Sequence, residues 1–103
     1  YTMVGDDRNG GVNGNNPTLT YNRGDIISFV VNVSGHPFWI KFLALTGTTN
    51  GLQNWVEGST NYGVDRNGQQ NGTITLYTGT LSAGTYYYIC QYHSSMQGQI
   101  VLV

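Results

Sequence analysis

An all-β fold, a sandwich or barrel of short strands, is what this sequence predicts, on three observations. The run at residues 25–33 alternates, with Ile27, Phe29, Val31 and Val33 on one face and Ser28 and Asn32 on the other, the pattern of a half-buried strand. Fifteen glycines and a thin supply of strong helix formers favour turns over helices. Short β-rich segments recur between turn signals along the chain, a spacing typical of sandwiches and barrels.

Taken in order, residues 6–16 (Asp-Asp-Arg-Asn-Gly-Gly-Val-Asn-Gly-Asn-Asn) are a run of turn formers and predict a loop. Residues 18–22 are the first secure strand, and Asn22-Arg23-Gly24-Asp25 makes a tight turn into the alternating run 25–33. Ser34-Gly35 breaks that strand, and residues 38–45 form a second apolar run. From 46 to 72 the pattern weakens, with Trp55, Val56, Tyr62 and Val64 scattered among Gly, Asn and Gln. That segment predicts a long excursion carrying one short strand or a helical turn. Residues 73–78 read as a β-branched strand, 81–84 as a turn, 85–91 as an aromatic strand and 99–103 as the closing strand. The tetrapeptide Asp-Arg-Asn-Gly stands at 7–10 and again at 65–68. Its surroundings do not match, so it marks turn chemistry rather than a repeat. Its side-chain oxygens are also the hard ligands that calcium takes, though the spacing is not that of an EF-hand.

The bulk properties narrow the function. With 103 residues the chain fits one domain, 1–103. Charged residues are only 9%, against 39% hydrophobic and 13% aromatic. Disorder pairs low hydrophobicity with high charge, so this composition argues for a core with a surface of Asn, Thr, Ser, Gln and Gly. A net charge of −1 without any basic or acidic run gives no steering toward nucleic acid or an anionic membrane. No apolar stretch approaches the roughly 20 residues needed to cross a bilayer, so no membrane insertion is expected. The chain begins without an initiator Met, as a mature form or a piece of a longer chain does. One cysteine excludes an internal disulfide, leaving packing or a metal as the staple. The sequons Asn32-Val33-Ser34 and Asn71-Gly72-Thr73 are weak signals, the first lying in an expected strand.

The chemistry-bearing stretch is Tyr86-Tyr87-Tyr88-Ile89-Cys90-Gln91-Tyr92-His93-Ser94-Ser95-Met96-Gln97-Gly98. A Cys ends a strand, a His follows, a Met follows that, and Gly98 leads into the last strand. Upstream, His36 follows Gly35 at the end of another strand. A thiolate with two imidazoles makes a trigonal, borderline-soft site, and a thioether adds a weak axial contact. That set selects copper and admits both Cu(I) and Cu(II). Each residue also has a structural reading: a strand Cys as a small buried hydrophobe, a loop Met as gap filler, a His before Pro37 as a turn residue. Together the four take up the only Cys, both His and one of the two Met, in the order His…Cys-x-x-His-x-x-Met, which coincidence explains poorly. Met3 lies outside the pattern and reads as structural.

At these residues the chain resembles the cupredoxins, the blue-copper family. The likeness is carried by residues 22–32, by Gly35-His36-Pro37-Phe38 and by residues 83–103, roughly half of the sequence. It is nearest to short cupredoxin-like domains with Gly-His-Pro-Phe and Tyr-Tyr-x-Cys-x-x-His-x-x-Met-x-Gly segments. The resemblance implies a Greek-key β-sandwich of about seven to eight strands. It implies one copper ion held by His36, Cys90, His93 and Met96, with the Gly35 carbonyl nearby. Two departures stand out. Only Ser94 and Ser95 separate His93 from Met96, a tighter spacer than plastocyanin-like members have. Pro37 stands where many members carry an Asn that braces the Cys loop; another Asn, such as Asn32, or backbone rigidity would substitute. Phe38 is expected to face inward near the ligand end, ahead of Trp39. Tyr86 and Tyr88 read as core packing, or with Tyr92 as shields of the metal.

Three functions follow. The first is a one-electron carrier with an unidentified redox partner protein meeting the His93 end, in a periplasmic or otherwise extracytoplasmic setting. The second is a copper carrier or store. The third is a structural sandwich module of a surface or virion assembly. An enzyme is not expected: five acidic residues show no catalytic pairing, and both histidines are already assigned.

Overall fold

The computed structural model describes residues 1–103 and contains nine strands and no helix. They are β1 (Thr2–Asp7), β2 (Gly10–Asn15), β3 (Leu19–Tyr21), β4 (Ile26–Asn32), β5 (Phe38–Lys41), β6 (Gly63–Asp65), β7 (Asn71–Tyr77), β8 (Gly84–Cys90) and β9 (Gln97–Leu102). Two sheets form the sandwich, one ordered β3-β9-β8-β5 and the other β4-β7-β6, with β1-β2 as a separate hairpin. The connections β3→β4, β4→β5, β5→β6 and β7→β8 pass between the sheets, and β3 runs parallel to β9. All other pairings are antiparallel.

The alternation read from the sequence is what builds the core. In β4, Ile27, Phe29 and Val31 are buried while Ile26, Ser28, Val30 and Asn32 face out. From the facing sheet, β5 contributes Phe38 and Ile40, β8 contributes Tyr86, Tyr88 and Cys90, and β9 contributes Ile100 and Leu102. The Phe29 and Phe38 rings meet across the sheets at 5.3 Å between centroids. Phe38 is the inward residue, as expected, and Trp39 lies on the outer face with its indole N–H donating to Gln91 Oε1 at 3.0 Å.

The N-terminal loop expectation for residues 6–16 was wrong. These residues complete a hairpin whose strands pair from Thr2↔Asn15 to Asp7↔Gly10. Gly10 takes φ +112, which only glycine adopts without strain. Asp7 pins the turn, its carboxylate accepting from Asn9 N and Thr20 N, both at 2.8 Å. That carboxylate is bonded to two backbone amides, so the first Asp-Arg-Asn-Gly copy serves the turn. The hairpin raises the strand number from the expected seven or eight to nine.

The second apolar run stops earlier than its hydrophobicity suggests. Strand β5 ends at Lys41, and Phe42, Leu43 and Leu45 are exposed. The Lys41 ammonium is wholly covered and donates to Leu45 O and Gly47 O, both at 2.7 Å, turning residues 42–47 back over the sheet. Burial pushes the Lys41 pKa down. The long excursion holds one short strand, β6, as expected. In the second Asp-Arg-Asn-Gly copy, Arg66 takes φ +65, and Asn67 bonds Ile40 N at 2.8 Å and Ile40 O at 2.9 Å. The side-chain amide thus stands in for a neighbouring strand along part of the free edge of β5. No helix is long and apolar enough to cross a membrane.

Candidate metal centre

Three ligand-type side chains converge at one end of the sandwich. Cys90 is the last residue of β8 and is fully buried, its Cα partnered with Phe38 of β5. His36 sits in the turn between β4 and β5, closed by His36 N donating to Val33 O at 2.8 Å. Gly35, at φ +84, makes that turn, and its amide donates to Gln70 Oε1 at 2.6 Å. The same turn is held from the other side by Gln91 N donating to Pro37 O at 3.0 Å. His93 lies on the exposed loop between β8 and β9.

That loop is short because it closes on itself. Met96 N donates to His93 O at 3.1 Å, and Cys90 N donates to Met96 O at 2.9 Å. Gly98 follows in β9 opposite Tyr88. A Cβ there would lie 2.1 Å from the Tyr88 hydroxyl oxygen, so only glycine lets the two strands approach with Tyr88 in the core.

The resulting geometry is a small triangle. Cys90 Sγ is 3.3 Å from His93 Nδ1 and 3.7 Å from His36 Nδ1, and the two Nδ1 atoms are 3.3 Å apart. The rings are tilted at 49° with centroids 4.9 Å apart. A point equidistant from the three atoms lies about 2.0 Å from each, close to metal–imidazole bonds of about 2.0–2.1 Å and slightly inside a metal–thiolate bond of about 2.3 Å. The donor set therefore fits one borderline-soft metal ion. The sulfur also accepts the Tyr92 N–H at 3.5 Å. The burial grades outward, from Cys90 buried through His36 half-buried to His93 exposed.

The structure brings His36, Cys90 and His93 together, and they are its one cluster of three or more His, Cys, Asp or Glu ligand atoms. Met96, on the same loop, is half-buried and packs against the core cluster to which Cys90 belongs. Asn32 does not brace the Cys loop: it is exposed at the end of β4, partnered with Asn71. Asn16, after β2, reaches the loop instead, its Nδ2 donating to Ser95 O at 3.5 Å. Tyr86 and Tyr88 are core residues, and Tyr92 is exposed beside His93.

One residue at the site was not singled out in the sequence. Tyr1 is buried against it, its hydroxyl donating to His36 O at 2.9 Å and Pro37 O at 3.2 Å. Burial and then the nearby Cys90 push the Tyr1 phenol pKa up, so the hydroxyl stays a donor. The signal available was Asn9-Gly10, a hairpin dipeptide that implies a strand before it. Comparison with protein-family models, with curated proteins and with solved structures finds no match to this chain.

Proposed function

We propose that this protein binds a single copper ion through His36, Cys90 and His93, with Met96 as a fourth, weaker ligand, and serves as a one-electron carrier. The observation that carries the reading is the triangle of two Nδ1 atoms and one Sγ, with edges of 3.3, 3.3 and 3.7 Å. Two imidazoles and a thiolate in a three-fold arrangement, with a thioether on the same loop, is a ligand set that favours copper over harder metals. Copper would supply reversible one-electron chemistry. The chain's own part is to hold the ligands still: Cys90 on a central strand, His36 on a turn tied to Gln70 and Gln91, and His93 on a loop closed by the Cys90–Met96 backbone bond. Ligands so held move little between oxidation states. The exposed edge at His93 and Tyr92 is where a partner protein would exchange the electron. An extracytoplasmic setting belongs to the same proposal.

The test is to add Cu(II) to the purified protein and record the visible spectrum. An intense thiolate-to-copper band, lost in Cys90→Ser, is expected. A colourless protein whose melting temperature copper leaves unchanged would sink the proposal. Cyclic voltammetry then checks the carrier role, for which fast and reversible electron exchange is expected. Met96→Leu should keep the band but alter its position and raise the reduction potential. An unchanged spectrum and potential would remove Met96 from the ligand set.

A further inference from the structure

We propose that Tyr1 is a positioning residue of this centre, its phenol hydroxyl fixing the carbonyls of His36 and Pro37 and so aiming the His36 imidazole at Cys90. The inference rests on the metal-binding reading above and adds a residue outside the four expected ligands.

The argument begins with the backbone of the His36 arm. Pro37 has no N–H, so the peptide after His36 offers no donor to tie the arm down. The His36 carbonyl accepts no backbone amide; its one hydrogen-bond donor is the Tyr1 hydroxyl, at 2.9 Å. The same hydroxyl lies 3.2 Å from the Pro37 carbonyl, which also accepts Gln91 N at 3.0 Å. One phenol therefore spans two consecutive carbonyls, the first of them on a ligand residue.

The phenol is itself held. Tyr1 is 8% exposed, its ring 5.0 Å from Phe38 and 6.2 Å from Tyr88 by centroids. Phe38 is the Cα partner of Cys90 across β5–β8. The aromatic group that anchors Tyr1 is thus registered with Cys90, and the hydroxyl is registered with the imidazole arm. The backbone around Tyr1 is fixed by Asn16 N donating to Tyr1 O at 2.6 Å, and Asn16 also reaches Ser95 O. The β1–β2 hairpin thus reaches both ligand-bearing segments. Hydrogen bonds to groups behind metal ligands typically govern affinity by about 10–100-fold.

Tyr1→Phe keeps the ring packing and deletes the hydroxyl. Two readouts separate this inference from the one beneath it. In metal-free protein, long-range ¹H–¹⁵N spectra of the two imidazoles should show the His36 ring shifted or broadened and the His93 ring unchanged. In copper-loaded protein, the thiolate band should persist but move, and Cu(I) affinity by chelator competition should fall about tenfold. If wild type develops no thiolate band, the metal reading fails while the imidazole spectra still decide whether Tyr1 holds His36. If wild type develops the band and Tyr1→Phe matches it within twofold in affinity, with His36 unmoved, the positioning role is overturned. A Tyr1→Phe protein that does not fold would assign the hydroxyl to the fold at large and overturn it equally.

Discussion

Phe38 and Cys90 are direct Cα partners across β5 and β8, both facing the core. The buried sulfur therefore stands in register with the aromatic centre of the molecule: Phe38 stacks on Tyr88 at 5.5 Å and 8°, and meets Tyr1 at 5.0 Å and Phe29 at 5.3 Å. Loss of that ring should be felt at both the fold and the site. Phe38→Ala removes a side chain that is 2% exposed and is expected to cost about 3–5 kcal/mol. Phe38→Leu should cost less, because it keeps more of the buried volume. Denaturant unfolding of both variants checks this. A loss below about 1 kcal/mol for the alanine variant would show that the cluster does not carry the core.

Gly98 is required by its neighbour rather than by its own backbone. The Cβ of Gly98→Ala would fall 2.1 Å from Tyr88 Oη and 2.3 Å from Tyr88 Cζ. Tyr88 has no room to retreat, being wholly buried and hydrogen-bonded to Pro17 O at 2.6 Å. Overpacking of this kind costs about 1–3 kcal/mol. Thermal melts should show Gly98→Ala clearly less stable than wild type, whereas Gly5→Ala, with open space around it, should change little. Equal melting temperatures for the two variants would contradict the close β8–β9 approach.

Stability should fall in alkali. Tyr86 is raised above the ordinary tyrosine pKa by burial and then by Tyr62, with Arg23 partly offsetting; Tyr21 is raised by burial and then by Asp7, Asp6 and Asp25. A folded pKa above the unfolded value means the contribution is whole below about pH 10 and is lost as pH rises through the folded value. Each tyrosine adds a slope of at most about 1.4 kcal/mol per pH unit. Lys41 has the opposite sign, since its folded pKa is lowered. Its contribution grows as pH rises from the folded value toward about 10.4. Unfolding free energy measured from pH 8 to 12 should therefore turn downward above about 10, and Tyr86→Phe should flatten the fall. A flat profile through pH 12 would refute the burial effect.

Metal should stabilise the fold by mass action, because the triangle joins His36 on the β4–β5 turn to Cys90 and His93 at the end of β8, two segments far apart in sequence that meet only when the strands are assembled. At a free concentration about 100 times Kd, binding adds about 2.7 kcal/mol. For a domain of this size that raises the melting temperature by on the order of 10 °C. Removal by a chelator should reverse the shift, and Cys90→Ser should abolish it. A shift that survives Cys90→Ser would place the metal elsewhere.

Much of this was legible because it rests on periodicity and residue type. Ile27, Phe29 and Val31 alternate, so their burial followed. Cys90 and His93 are three residues apart, so their approach was local. The N-terminal hairpin was hidden because β1 and β2 are built largely of Gly, Asn and Asp. Such residues carry little hydrophobic alternation and look like loop until a partner strand supplies the hydrogen bonds. The end of β5 was hidden for another reason. Phe42, Leu43 and Leu45 continue the apolar run, and the turn is set by Lys41 reaching two carbonyls beyond it.

By itself the sequence determined the all-β class, the inward face of β4 and the closeness of Cys90 to His93, because these depend on neighbours a few residues apart. Only the tertiary structure decided that His36 comes within 3.7 Å of Cys90 Sγ and within 3.3 Å of His93 Nδ1, and that Tyr1 lies behind it. These partners are separated by 54, 57 and 35 positions. Their distances are set by sheet register and by the packing of two sheets, which no local pattern encodes.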